Sequence, residues 1–246
     1  MVRTNLKYAT EVATSYKELE EAIEAFNKLS LEDDGDLTIA RDKRDLLLLQ
    51  SELRDAMKRR FIKVLNPAIQ KAVQSKFATN ITIQRLIKEA EKIVKTLKKQ
   101  EEFAHPVLHL SSSTIAEIHG YRQVTPEIHD VMTATFMLLG EKPETIQEWD
   151  DIRFLMGKSG KKSLMVRIKS FNMSNLSESS ALRVGSMLEK YNVKVIHSKS
   201  SGVAAFYEWS INIVQEKNAL LQSARQREDE SLRATHNKKG KRAKKL

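Results

Sequence analysis

The chain has no cysteine. That excludes disulfides and thiolate metal sites, and it suits a reducing interior compartment. Proline and glycine are scarce, at 4 and 8 residues, and aromatic residues make up only 6%. So few turn formers and rings argue for an α-rich protein over a β-sandwich. No apolar run approaches the roughly 18 residues of a membrane span. The opening MVRTNLKYATEV lacks the apolar centre of a signal peptide. A membrane is therefore not among the expected partners.

What is present is a chain of 246 residues, 41% hydrophobic and 30% charged, enough for one or two domains with a real core. The net charge is +10, and six of the positive groups stand together in the tail HNKKGKRAKKL: Lys238, Lys239, Lys241, Arg242, Lys244 and Lys245. Such a tail is expected to be disordered. It favours acidic partners, whether nucleic acid, acidic protein tails or anionic lipid, without choosing among them. KKGKRAKK also reads as a nuclear address.

Hydrophobic spacing predicts helices throughout. Val12, Tyr16, Leu19, Ile23 and Phe26 alternate steps of four and three, a heptad seam over 11–29. The following DDGDLTI resembles a calcium loop in outline but fails as one. With Asp34 and Asp36 in its third and fifth places, Leu37 falls where the turn needs glycine, and Lys43 where the glutamate belongs. An acidic connection between helices is the better reading. A second helix is predicted over 41–65 through Leu46, Leu49, Leu53, Met57, Phe61 and Val64, interrupted or kinked at Asn66-Pro67, with a shorter helix following to about Phe77. A third carries Ile83, Leu86, Ala90, Ile93 and Leu97 and is expected to break at Pro106. Their narrow apolar stripes belong to coiled-coil or bundle elements.

Compact helices with close punctuation follow. In TPEIHDVMTATFMLLGEKP, residues 125–143, Thr125 is an N-cap with Pro126 in the first turn, and Gly140 is the stop. Ile128, Val131, Met132, Phe136 and Leu139 give it one wide apolar face. Ile146, Trp149, Ile152 and Met156 form the next helix, ending at Gly157. Leu164, Ile168 and Phe171 fit a third, and Ala181, Val184, Leu188 and Tyr191 a fourth. A long last helix starts near Ser200 with Val203, Phe206, Ser210, Ile213, Leu220 and Ala224 on one side. Long helices thus lead into and out of a small helical globule. The two can zip antiparallel over roughly 20–25 residues, about 30–38 Å.

Residues 114–216 resemble the microtubule-binding tip of the dynein heavy-chain stalk, in its axonemal form. The matching elements are EIHGYR (117–122), VMTATFMLLGEKP (131–143), Trp149, LMVRIKSFNMSNL (164–176) and SSGVAAFYEW before and including Trp209. The resemblance implies a helical globule on an antiparallel coiled coil that binds the junction between tubulin subunits. It implies no motor: GKSGKKS, from Gly157, has its glycines too close for a phosphate-binding loop, and Lys162 stands where Ser or Thr should follow Gly-Lys. There are departures. Gln123, Val124 and Thr125 replace a Lys-Pro-Pro run. His119 and Gln123 stand where the family has lysines, and Ser201 and Glu208 where it commonly has basic residues. The segment between Tyr191 and Ser200 is shorter than usual. Core positions are kept better than contact positions, and lost positive charge weakens attraction to an acidic lattice.

The candidate microtubule-binding residues are Arg122, Lys158, Lys161, Lys162, Arg167, Lys169 and Lys199, with the basic tail as a salt-sensitive supplement. Trp149 and Trp209 fall on apolar faces and are expected to be core anchors. His105 and His109 lie four apart, but Pro106 is expected to spoil the helical face that would converge them on a metal, and His119 and His129 fall on different elements. No Ser/His/Asp order or carboxylate pair in a glycine-bounded pocket suggests an enzyme, and no cofactor is expected.

The sequence therefore predicts an all-α protein: an N-terminal helical or coiled-coil region over 1–110, a stalk-tip-like domain over 111–216, and an outgoing helix with basic tail over 217–246. It is expected to be a non-motor microtubule-associated structural protein of the cytoplasm and cytoskeleton, in the axoneme of a cilium or flagellum. Residues 1–110 would bind other axonemal or coiled-coil proteins. The alternatives are a helical interaction subunit without tubulin contact, or a nucleic-acid binder through the tail. The last ranks lowest, because the tail has no interleaved aromatics and no reading module precedes it.

Overall fold

The computed structural model of the chain describes residues 1–29 and 31–243, with side chains described to 226 and at 229. Every regular element among the described residues is helical. The chain forms two compact units, Met1–Lys98 and Lys99–Leu246, where the sequence pattern predicts boundaries at 110 and 216.

In the first unit, α1 (Val2–Val12) and α2 (Tyr16–Lys28) pack on the start of α3 (Asp36–Arg59). Leu6, Leu19, Ile23, Phe26, Leu37 and Ala40 form their shared core. The predicted seam over 11–29 is corrected here. Ala13 leaves helical geometry at ψ 132, so Val12 ends α1 with 52% of its surface exposed, and Leu6 takes the buried place. Further along α3, Leu49 and Leu53 pack with Ala72 of α4 (Ile62–Gln74) and with Ile83 and Leu86 of α5 (Ile81–Leu108). A neighbouring cluster joins Ala56, Leu65 and Ala90.

The 41–65 helix breaks at Arg60, before the expected Asn66-Pro67. Arg60 takes the left-handed conformation at φ 53, and exposed Phe61 starts α4. Pro67 then lies inside α4. A proline there costs about 3 kcal/mol, which the burial of Leu65 and Ala72 against α3 and α5 offsets, at about 1.5–3 kcal/mol for a Leu-sized side chain. Pro106 likewise lies inside α5, which continues to Leu108. Val107 just after it is fully buried, as is most of Ala104, so core packing again prevails over the missing N–H.

The acidic connection before α3 is a helix start. Asp33 accepts from the backbone N–H of Gly35 (2.8 Å), Leu37 (3.0 Å) and Thr38 (3.1 Å) and from the Thr38 hydroxyl (2.7 Å). Asp34 pairs with Arg3, and Asp36 with Lys7 at 3.3 Å.

The second unit is built around α7 (Pro126–Leu138). Residues 131–138 of α7 are all buried, so it is enclosed where one wide face was predicted. Its neighbours are α8 (Trp149–Met156), α10 (Glu178–Leu188), α11 (Val193–Lys199) and α12 (Ser201–Ala243). The helix ends in a Schellman turn: Gly140, at φ 96, donates to Met137 O (3.0 Å), and Glu141 donates to Phe136 O (3.0 Å). Enclosure requires α7's hydroxyls to find partners, and Thr135 donates to Val131 O (2.9 Å) with Ser210 Oγ of α12 3.2 Å away.

Two short helices complete the unit. α6 (Ser112–Gly120) is capped by Ser111 Oγ, which accepts from Thr114 N–H at 3.1 Å. α9 (Leu164–Lys169) is capped by Ser163. α6 packs so tightly on α12 that a Cβ on Gly202 would lie 2.5 Å from Thr114 Cγ2 and 3.0 Å from Ile118 Cδ1. The backbone of α12 is helical to Ala243, beyond the expected start of a disordered tail. Lys244 and Lys245 lie outside the described residues, as do the side chains of Lys238, Lys239, Lys241 and Arg242.

Candidate functional site

Residues 157–170 carry five basic and no acidic side chains. The segment turns from α8 through a single 3-10 turn, Gly160–Lys162, into α9. Gly160 takes φ 60 there, a conformation costly for other residues. Leu164 and Ile168 anchor α9 in the core. This leaves Lys161, Lys162 and Lys169 exposed. Lys158 is half-buried because its Nζ sits 3.5 Å from the ring centroid of Phe154. Phe154 itself is 66% exposed, an apolar ring presented to solvent under a cation.

Arg167 is placed differently from its neighbours. It donates to Leu139 O (2.9 Å), pairs with Glu141 (2.8 Å), and lies 5.8 Å from the Phe136 ring. It completes the C-terminus of α7 by occupying the last carbonyls with a cation, so it is held by the fold.

Arg122 and Lys199 lie on other elements. Arg122 is exposed in the bend after α6, and Lys199 is the exposed last residue of α11. Tyr121 brings these two regions together, since its hydroxyl lies 3.4 Å from Ser200 Oγ. Glu127, second residue of α7, is held below the ordinary carboxylate range by the Thr125 hydroxyl, its own backbone N–H and the charge of Lys199.

α8 connects the two basic groups. Trp149 Nε1 donates to Tyr121 O at 2.8 Å, and Arg153 Nε to His119 O at 3.0 Å. Between them runs an open groove of about 440 Å³ lined by His119, Asp150, Arg153, Phe154, Gly157 and Lys158. Asp150 and Arg153 pair at 2.9 Å, so the groove's net charge comes from Lys158. Trp149 is 8% exposed and Trp209 1%, both in the core, with Trp209 edge-on to Phe171 at 5.4 Å.

The spacing of α8 contains a signal for Phe154 that sequence reading passed over. Trp149, Ile152 and Met156 share one face, and an aromatic at 154 falls on the other. What periodicity could not tell was that Arg167 faces Glu141 while Lys161 and Lys162 face water, because that depends on where α7 ends in space. Among the described residues, no group of three or more His, Cys, Asp or Glu side chains is placed to hold a metal ion, and no helix is long and apolar enough to cross a membrane. No family model, curated protein or solved structure matches the chain.

Proposed function

We propose that this chain is a non-motor, microtubule-associated structural protein that docks on an acidic filament through its second unit. The observation that carries the reading is the acid-free basic segment 157–170, held on a rigid helical globule. Lys158, Lys161, Lys162 and Lys169 are its contact groups. Arg122 and Lys199 form a second positive region across α8, and Arg167 acts as a support. Attraction of this kind is long-ranged and speeds encounter with an acidic surface. No reacting group is needed: the role is adhesive.

Other features support the expected architecture. Lys99 of α5 pairs with Glu216 of α12 at 2.7 Å, and Gln100 accepts from Met173 N–H at 3.3 Å. The ion pair links the helix that enters the second unit to the one that leaves it, a contact compatible with an antiparallel stalk, while Gln100 holds the 3-10 turn Met173–Asn175 before α10. The resemblance of residues 114–216 to the dynein stalk tip names tubulin as the filament and the axoneme as the place. The first unit is then the part that binds a neighbouring structural protein, and the basic tail adds a salt-sensitive contact.

Phe154 favours a second reading, a helical interaction subunit without tubulin contact, because an exposed ring beside a groove suits a folded protein partner. Co-sedimentation with polymerised tubulin separates the two. Pelleting at low salt that is lost in the Lys161→Glu, Lys162→Glu, Lys169→Glu variant supports filament docking. Absence of wild-type pelleting would sink it, and pelleting indifferent to the triple reversal moves the contact away from this segment.

A further inference from the structure

We propose that His105 and His109 form a two-imidazole chelate for a divalent cation of the Zn²⁺, Ni²⁺ or Cu²⁺ class. The site lies at the C-terminal end of α5, apart from the basic segment, and does not depend on the filament reading.

The premise against such a site was that Pro106 would break the helix between the two histidines. The helix instead continues through Pro106 to Leu108, and His109, the residue just past its end, still donates its N–H to His105 O at 3.2 Å, so the two stand one turn apart. Two histidines at this spacing on a helix are the ligand pair that binds zinc in the HExxH arrangement. Here the intervening residues are Pro106, Val107 and Leu108, so the general base of that motif is missing and no hydrolytic role is implied.

The ring geometry fits. The centroids are 3.9 Å apart with planes inclined by 26°, and both residues are exposed. His109 Nδ1 lies 2.8 Å from the His105 carbonyl oxygen. An oxygen acceptor there fixes the proton on Nδ1 and leaves Nε2 with a free lone pair. That is how proteins commonly orient and sharpen a histidine ligand. A small rotation of the stacked rings brings both Nε2 atoms to one ion, at about 2.0–2.1 Å from each.

Local electrostatics favour a cation. His105 sits in the last turn of α5 and His109 directly follows its last residue, at the end where the helix dipole is negative. Pro106 has no N–H to give the Glu102 carbonyl, and Glu101 and Glu102 are exposed one turn earlier. With no third protein ligand among the described residues, the ion keeps solvent at its remaining positions. Imidazole donors select this class over Mg²⁺ or Ca²⁺.

The test is titration of the full chain with Ni²⁺ by calorimetry, and with Cu²⁺ read by electron paramagnetic resonance. One saturable ion per chain is expected, with two equatorial imidazole nitrogens in the copper spectrum. His105→Ala and His109→Ala should each weaken binding at least about tenfold and reduce the copper signal to one nitrogen. His109→Gln, which can still donate to the carbonyl but cannot ligate, should weaken it equally while circular dichroism shows an unchanged helix. No saturable binding by the wild type, or undiminished binding by the His105→Ala, His109→Ala double variant, overturns the proposal.

Discussion

Arg60 shows at the scale of one residue how the chain stores strain. Its φ of 53 is the left-handed conformation, the only positive φ outside glycine among the described residues, and its Nε is buried without a partner. Burial also holds its guanidinium below the ordinary value. Arg60→Gly removes both costs, so denaturant unfolding should show a gain of about 1 kcal/mol. Asp33 is the opposite case. Its carboxyl is held below the usual carboxylate range, first by the Thr38 hydroxyl and then, against some desolvation, by the backbone N–H groups of Leu37, Gly35 and Thr38. A lowered folded value means that the charge stabilises fully above the unfolded value near ~3.9 and is lost as pH falls through the folded one. Asn also caps helices, so Asp33→Asn isolates the charge. The melting-temperature gap between variant and wild type should be present at pH 7 and close as the carboxylate is protonated at acid pH. A gap independent of pH would assign the role to shape alone.

Helices in this chain are set by what they pack against as much as by their own sequence. α6 and α12 meet at Gly202, where a single methyl group would overlap Thr114 and Ile118. Gly202→Ala improves helix propensity by about 1 kcal/mol, but overpacking costs about 1–3 kcal/mol. The net result should be a lower melting temperature for the second unit; a stabilised variant would mean that α6 yields easily. The α5 and α12 pairing makes a separate prediction. Glu216 is 15% exposed and Lys99 39%, so the pair is only partly shielded from solvent. Lys99→Glu and Glu216→Lys should each destabilise, and the double exchange should recover a coupling of about 1 kcal/mol. Strict additivity in that cycle would show that the ion pair does not couple α5 to α12.

For the whole molecule, the proposed docking depends on which charges the fold leaves outside. If exposed lysines carry filament docking, raising salt from about 50 to 250 mM shortens the Debye length and should abolish pelleting, while removal of residues 236–246 should only lower the salt at which it fails. The sequence by itself determined that the protein is helical, many of the residues that enter the cores though not that Val12 and Phe61 stay exposed, and where α7 starts and stops. Periodicity, a Thr-Pro start and a Gly stop are local properties, readable without neighbours. It missed the breaks at Ala13 and Arg60, which no proline or glycine marks, and expected at Pro67 and Pro106 interruptions that do not occur, because a proline's local cost is smaller than the burial of the side chains around it, and burial is known only once helices are packed. Tertiary structure decided that α7 is enclosed, that Arg167 closes α7, that Phe154 faces solvent, and that two histidines flanking a proline share one face. Each depends on the spatial relation of residues that composition and spacing leave undetermined, since a charge or ring acquires its role from what stands opposite it.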